Sequence, residues 1–342
     1  MKKTNKKMMI LSFFGIIFVV LGHFKGSFTF ISKMFPYYSF HMALFIFISG
    51  YFYKNKNAVS LFKKDGYFIN RVKKFVIPYY IWNVIYGLFA TILIYCGIKS
   101  YGNVISLKRL LIDPWIYGNQ FYFNTPAWFC LSLFIVNVFY AFIRKIIGNK
   151  WNDYFALFVL LILACISIKL SFYNLKILII PIRTIYFLFF YQLGYMYKNN
   201  FEDKIKINSF ILILINLIIQ TILLLIDKNI IYEAIYMVFN CKYLITPILA
   251  SINGIWLWLN ISSILVKYIG NNKIVNYVSE NTFDIMMHHL FWIFILNILF
   301  KYFGINNINM YVRYISYIIV GIFVPVFLKL LIKNRKVIIN KR

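Results

Sequence analysis

The chain is written as ten runs of apolar residues, each close to the length of a membrane-crossing helix, with short basic segments between them. A helix needs about 20 residues to cross the hydrocarbon core of a bilayer. The runs fall at 8–26, 36–53, 75–97, 127–146, 153–170, 175–197, 206–226, 242–266, 282–303 and 311–332. The predicted fold class is therefore all-α: a polytopic integral membrane protein of about ten transmembrane helices. Only 13% of the residues are charged and mean hydropathy is +0.75, whereas a soluble domain carries roughly a quarter charged. Most of the surface must therefore face lipid. No polar linker and no fixed repeat interrupts the pattern, so residues 1–342 read as a single transmembrane domain. The opening MKKTNKK and its apolar run resemble a signal peptide, but no small-residue cleavage site follows, and we read it as a retained first span.

A net charge of +28 raises the question of nucleic acid. The basic residues, however, sit as short flanks of apolar runs, which is how membrane topology is written, and no nucleic-acid partner is expected. With the N-terminus in the cytoplasm, about two-thirds of the 37 Lys and Arg residues fall on the inner side, and the 54–74 segment alone holds seven. An even number of spans then places both termini in the cytoplasm. The cysteines, Cys96, Cys130, Cys165 and Cys241, show no CxxC spacing, which indicates neither a metal site nor a disulfide framework.

Ionisable side chains inside a membrane are costly and mark function by default. All four histidines, His23, His41, His288 and His289, lie within or at the ends of apolar runs. In the inferred topology His23 closes the first span near its outer end, and His41 opens the second from the same side. His288 and His289 lie a turn or two into the ninth span. Neighbouring residues on a helix point about 100° apart, so at most one of that pair can share a cavity with His23. Imidazole is the natural general base near neutral pH. No histidine pair at i, i+4 exists and acids are few, so no metal is expected. In KKDGYFINRVKKFVIPYYIW, Arg71 and Lys74 are spaced i, i+3 and share a helix face. They read either as a positive-inside anchor or as a phosphate clamp assisted by Lys73. Pro78 follows and can loosen the helix there.

These residues fall in blocks that resemble the bacterial membrane-bound acyltransferase type 3 family, and within it the sugar O-acetyltransferases of surface polysaccharides. The blocks are GIIFVVLGH at 15–23, FHMALFIFISGYFYK at 40–54, RVKKFVIPYYIW at 71–82, NTPAWFCLSLFIV at 124–136, FFYQLGYMYK at 189–198 and ENTFDIMMHHLF at 280–291. They follow the family's order, His23 ending the first and His289 taking the late histidine's position. The resemblance implies acyl transfer in a bacterial inner (plasma) membrane from cytoplasmic acyl-CoA, acetyl-CoA above all, to a hydroxyl of a cell-surface or lipid-linked glycan. It places His23, with His41 or His289 orienting it or polarising the thioester carbonyl, in the catalytic role. Arg71, Lys73 and Lys74 would hold the CoA phosphates, and Tyr79, Trp82, Asn124 and Trp128 would line the acceptor cavity. No permanently bound cofactor is implied; the partners are acyl-CoA, the glycan, the lipid bilayer and polysaccharide synthesis machinery.

One position departs from the pattern. Ser12 stands where the family carries a basic residue eleven positions before the first histidine. Substitution by Lys6 or Lys7, a different acyl donor, and loss of activity all remain open from sequence. Two other classes also fit the spans and histidines: a transporter or flippase for a lipid-linked or polysaccharide substrate, and a catalytically degenerate partner of a polysaccharide synthase. No GxSxG, Walker A or dinucleotide motif is present.

Overall fold

The computed structural model describes residues 5–23, 33–98, 103–116, 121–150, 152–173, 176–204, 207–305 and 309–339, and the side chains of all of these except 149, 176 and 332–339. The long helices are α1 (Lys6–Gly22), α2 (His41–Tyr51), α3 (Tyr67–Tyr95), α4 (Trp128–Ile147, preceded by a 3-10 run Tyr122–Ala127), α5 (Asp153–Ser171), α6 (Ile179–Met196) and α7 (Ser209–Ile226). A two-stranded antiparallel hairpin, β1 (Tyr232–Glu233) and β2 (Val238–Phe239), follows. The chain continues with α8 (Thr246–Ile269), α9 (Lys273–Glu280), α10 (Thr282–Tyr302) and α11 (Met310–Ile339). Two compact units divide it: residues 1–27 with 261–342, and residues 28–260.

Every expected span coincides with a helix. Among the described residues seven helices are long and apolar enough to cross a membrane: α3, the 122–147 run, α5, α7, α8, α10 and α11. The protein is thus an all-α, multi-pass membrane protein. The other three differ for physical reasons. α1 ends after 17 residues, and positions 24–26 of the expected first span lie outside the described residues. α2 has 11 residues, about 16 Å of helix. α6 carries Arg183 and Gln192 and is buried on nearly every side.

The helices are inside-out relative to soluble ones. α7 turns Phe210, Leu214, Ile218 and Leu225 outward and buries Asn216 and Gln220. Gln220 is paired there: it donates to the Met34 carbonyl at 2.6 Å and accepts from the Asn253 amide at 3.0 Å. Apolar side chains gain nothing by facing inward when the surroundings are lipid, so polar groups gather where partners are available.

Within residues 28–260, α6 is the central helix and packs on α2, α4 and α5. Two glycines allow its closest approach. A Cβ on Gly50 would lie 2.0 Å from the Tyr191 carbonyl oxygen, and one on Gly194 would lie 2.0 Å from that of Phe47. In the other unit α1 packs on α9, α10 and α11.

The third helix begins at Tyr67, earlier than the expected span start of 75, so Arg71, Lys73 and Lys74 lie inside a helix and not in a loop. The helix passes through a π-turn at Val72–Val76, closed by the Ile77 N–H on the Val72 carbonyl. Pro78 explains the wide turn. Its ring has no N–H to donate and would press on the carbonyl of Lys74 in a regular α-turn. Such turns recur at functional sites.

Candidate functional site

The end of α1 brings two of the candidate histidines together. His23 caps the helix, and its ring centroid lies 5.0 Å from that of His289, tilted by 42°. His289 is fully buried, while His288 is only partly so. The 100° rule requires one of them to turn away, and it is His288. Gly321 of α11 lets this region close up, since a Cβ there would sit 3.4 Å from both the His289 Cβ and Val20.

His289 Nδ1 lies 2.9 Å from the Ile285 carbonyl, one turn back on α10. A carbonyl can only accept, so Nδ1 carries the proton and Nε2 presents its lone pair. That Nε2 is buried and has no hydrogen-bond partner. A neutral imidazole with a fixed tautomer and a vacant basic nitrogen is prepared to accept a proton or a hydrogen bond. His23 stands beside the second turn of α10, about 10 Å along that helix, instead of near a far end as its place in the sequence suggests. The reason is that α1 starts beside Asn271 and packs along α9, so that its end reaches only the early turns of α10.

The geometry answers part of the Ser12 question. Lys6 donates to the Asn271 side chain at the opposite end of α1, roughly 25 Å from His23 along the helix. Lys6 is therefore not a substitute partner for the histidine. Position 12 is itself about 16 Å away, out of direct reach.

Each remaining candidate lies in the 28–260 unit. His41 is buried, donates Nδ1–H to the Tyr37 carbonyl at 2.5 Å, and meets Tyr38 edge-on at 5.3 Å. It thus repeats the tautomer lock of His289. The Arg71 guanidinium lies over the Tyr67 ring at 4.5 Å, and Lys74 over Phe75 at 5.2 Å. Lys73 is exposed and paired with Asp65 at 3.2 Å. The buried Arg71 Nε lacks a partner.

Tyr79, Asn124 and Trp128 come together, and they do so around two residues that the sequence motifs do not mark. Asn124 donates to the Asn83 side chain at 3.2 Å, and Asn83 lies one turn beyond Tyr79 on α3. Trp128, one turn beyond Asn124, lies under the Arg183 guanidinium, 4.5 Å from its ring centroid. The Tyr79 hydroxyl is within electrostatic reach of the same cation. Trp82 stacks on Tyr86 at 5.7 Å.

Arg183 is 1% exposed. Its Nη1 donates to the Ile235 carbonyl at 2.8 Å, in the turn between β1 and β2. The segment carrying the hairpin is tied together at its base by Asp227, whose buried carboxylate accepts from the Asn229 and Lys242 N–H groups at 3.0 and 2.7 Å and from the Thr246 hydroxyl at 2.7 Å. Burial alone would raise this carboxyl, but these donors together hold it below its ordinary value. The signal for Arg183 in the sequence is the one that marks the histidines: an ionisable side chain inside an apolar run.

Among the described residues no three His, Cys, Asp or Glu side chains gather as a metal site would require. No curated protein and no solved structure matches the chain. The model of one protein family, an acyltransferase domain, does match, over residues 10–330. That stretch holds all of the helices from α2 to α10, most of α1 and α11, and every candidate histidine, cation and cavity residue from His23 to His289, so this multi-pass membrane protein belongs to the acyltransferase 3 family.

Proposed function

We propose that the protein is an O-acyltransferase of a bacterial inner membrane. It moves an acyl group, acetyl first, from cytoplasmic acyl-CoA to a hydroxyl of a cell-surface or lipid-linked glycan. About ten helices lie in the membrane, seven of them long enough to cross it unaided, and both termini lie in the cytoplasm. The observation that carries the reading is the His23–His289 pair, 5.0 Å apart, with the tautomer of His289 fixed and its Nε2 unpartnered.

In this mechanism a histidine of the pair removes the proton from the glycan hydroxyl as the oxygen attacks the thioester carbonyl. The tetrahedral intermediate collapses, the C–S bond breaks, and the CoA thiolate recovers the proton from the imidazolium. Base catalysis of this kind supplies about 10²–10⁴ in rate. His23 is the base and His289 orients it or accepts a hydrogen bond from the attacking hydroxyl. Arg71 and Lys74 hold the CoA phosphates. Stacked over aromatic rings at a π-turn, they present cations where an anion can reach them. Lys73, tied to Asp65 and exposed, contributes through the local field.

The test is isotopic acetate labelling of cells, followed by mass spectrometry of ester-linked acyl groups on the purified surface polysaccharide. Wild type, a deletion strain and His23→Ala at matched expression are compared. Loss of the ester in both mutant strains is expected. An ester that persists in the deletion strain while polysaccharide export falls would replace this reading with transport.

A further inference from the structure

The strongest unmet hydrogen-bonding demand among the described side chains is at Arg183. Its Nη1 is used by the Ile235 carbonyl, while Nε and Nη2 are buried with no partner. These two nitrogens form one edge of the guanidinium, with parallel N–H bonds, the edge that grips two oxygens of a planar anion. Two further groups in the same cluster are unmet: the Asn83 Nδ2 donor and the Asn124 Oδ1 acceptor. The circuit is continuous. Arg183 lies on Trp128, Trp128 is one turn from Asn124, Asn124 bonds Asn83, and Asn83 is one turn from Tyr79, which senses the Arg183 charge.

We propose that Tyr79, Asn83, Asn124, Trp128 and Arg183 form a binding site for a sugar carboxylate, whose two oxygens sit on the Nε–Nη2 edge of Arg183. The ligand's chemistry follows from what is missing. One buried cation calls for one negative charge, because a surplus of either sign is costly in an apolar interior. The planar donor pair calls for two oxygens at carboxylate spacing. The vacant Asn124 Oδ1 calls for a donor as well, which the hydroxyl of a sugar acid supplies and a bare dialkyl phosphate does not. Asn83 Nδ2 adds a third donor. That the carboxylate belongs to the acyl acceptor rests on the proposed function; that the site takes an acidic sugar does not.

The experiment is direct binding to the purified full-length protein in detergent, with no acyl donor present. The probes are methyl glucuronide, its neutral amide and methyl glucoside, with dimethyl phosphate as a phosphodiester. The glucuronide is expected to bind at least tenfold more tightly than the amide, which differs only at the charged group. Arg183→Lys keeps the charge but loses the paired edge, and should weaken glucuronide binding at least tenfold. Asn124→Asp, which supplies an internal anion, should abolish it. Equal binding of acid and amide, tighter binding of the phosphodiester, or no binding of the glucuronide would each overturn the proposal. The comparison of ligands on the unaltered protein stands even if a variant fails to fold. Glucuronide binding without acetate incorporation into polysaccharide would sink the acyl-transfer reading and leave this site intact, and the converse result would do the reverse.

Discussion

Gly50→Ala should be among the most damaging single-methyl changes available in this protein. The added Cβ would lie 2.0 Å from the Tyr191 carbonyl oxygen and 2.8 Å from its carbon. Carbon and oxygen in this kind of helix–helix contact rest at about 3.3 Å, so α2 and α6 must part by roughly 1.3 Å at the contact. The obstacle is backbone, so no rotamer change relieves it. Both helices are packed on nearly all sides, with Phe47, Tyr51, Phe187 and Tyr191 all buried. A gap of that size forfeits a quarter or more of the dispersion energy at each opened contact. Overpacking typically costs 1–3 kcal/mol, and the rigidity of this site puts the expectation at about 3 kcal/mol. Gly194→Ala meets the Phe47 carbonyl at the same 2.0 Å and should cost as much. The two glycines face each other across one contact, so a single separation accommodates both methyls, and the double variant should cost clearly less than the sum. Reversible unfolding of the detergent-solubilised full-length protein measures all three. A Gly50→Ala variant within about 0.5 kcal/mol of wild type, the range of an ordinary surface change, or strict additivity would refute the argument.

Other expectations follow from the same contacts. His289→Phe should lower ester formation about 10²–10⁴-fold with unchanged yield of folded protein, read by acetate labelling at matched expression; activity near wild type would remove His289 from the chemistry. Asp153→Ala leaves the Arg144 guanidinium, now 2.8 Å from Asp153 Oδ1 and 9% exposed, without its anion. It should cost about 2 kcal/mol, the partial exposure of Asp153 placing it below the fully buried case, while Arg144→Met with Asp153→Leu should cost less than the two single changes combined, because neither strands a charge. The Asp227 carboxyl is held below its ordinary value in the fold, so its contribution to stability is complete above the unfolded pKa of about 3.9 and is lost as pH falls through the folded value. The unfolding curves of wild type and Asp227→Asn should therefore differ at pH 7, begin to approach each other below about pH 4 and meet only below the depressed folded value, and a gap independent of pH would refute this.

How much of this was legible in the sequence depends on what each feature needs. Helix positions need only hydropathy and length, and all ten expected runs are helical. Their capacity to cross a membrane depends on where they stop, and nothing in GIIFVVLGHF marks Gly22 as the end of α1. The π-turn at Val72–Val76 follows from Pro78 once the helix is known to start at Tyr67, but KKDGYFINR reads equally well as a loop. The 100° offset shows that His288 and His289 cannot act alike; that His289 is the inward one depends on the packing of α10 against α1 and Gly321. Arg183 is different. It carries the plain signal of a charge in an apolar run, yet eight residues from the start of that run a cation also reads as a flank, and only its contact with Trp128 and its two vacant nitrogens separate the meanings.

Those vacant nitrogens point to a way of sorting polar residues in a membrane protein, where burial alone says little because every polar group prefers the interior. In the 28–260 unit the Asn137 amide oxygen accepts from Tyr67, Tyr191 and Ser49 at 2.7, 3.0 and 3.2 Å, and its nitrogen donates to the Leu133 carbonyl at 2.6 Å. Arg144 binds Asp153, Asn55 and Tyr195, and Gln192 bridges Tyr140 to Asp153. The Tyr53 hydroxyl amid them lacks a partner, but the amides, the acid and the cation of this network are matched. Such saturated groups hold helices together, and a ligand there would have to break bonds already made. Around Arg183 the balance is reversed: two guanidinium nitrogens, an amide nitrogen and an amide oxygen are buried without partners. His289 Nε2 in the other unit is in the same condition. A group left short of a partner in surroundings where that is costly is best explained by a partner that comes and goes. By that criterion Asn137 and Arg144 are architecture, and Arg183 and His289 are where substrate should be sought.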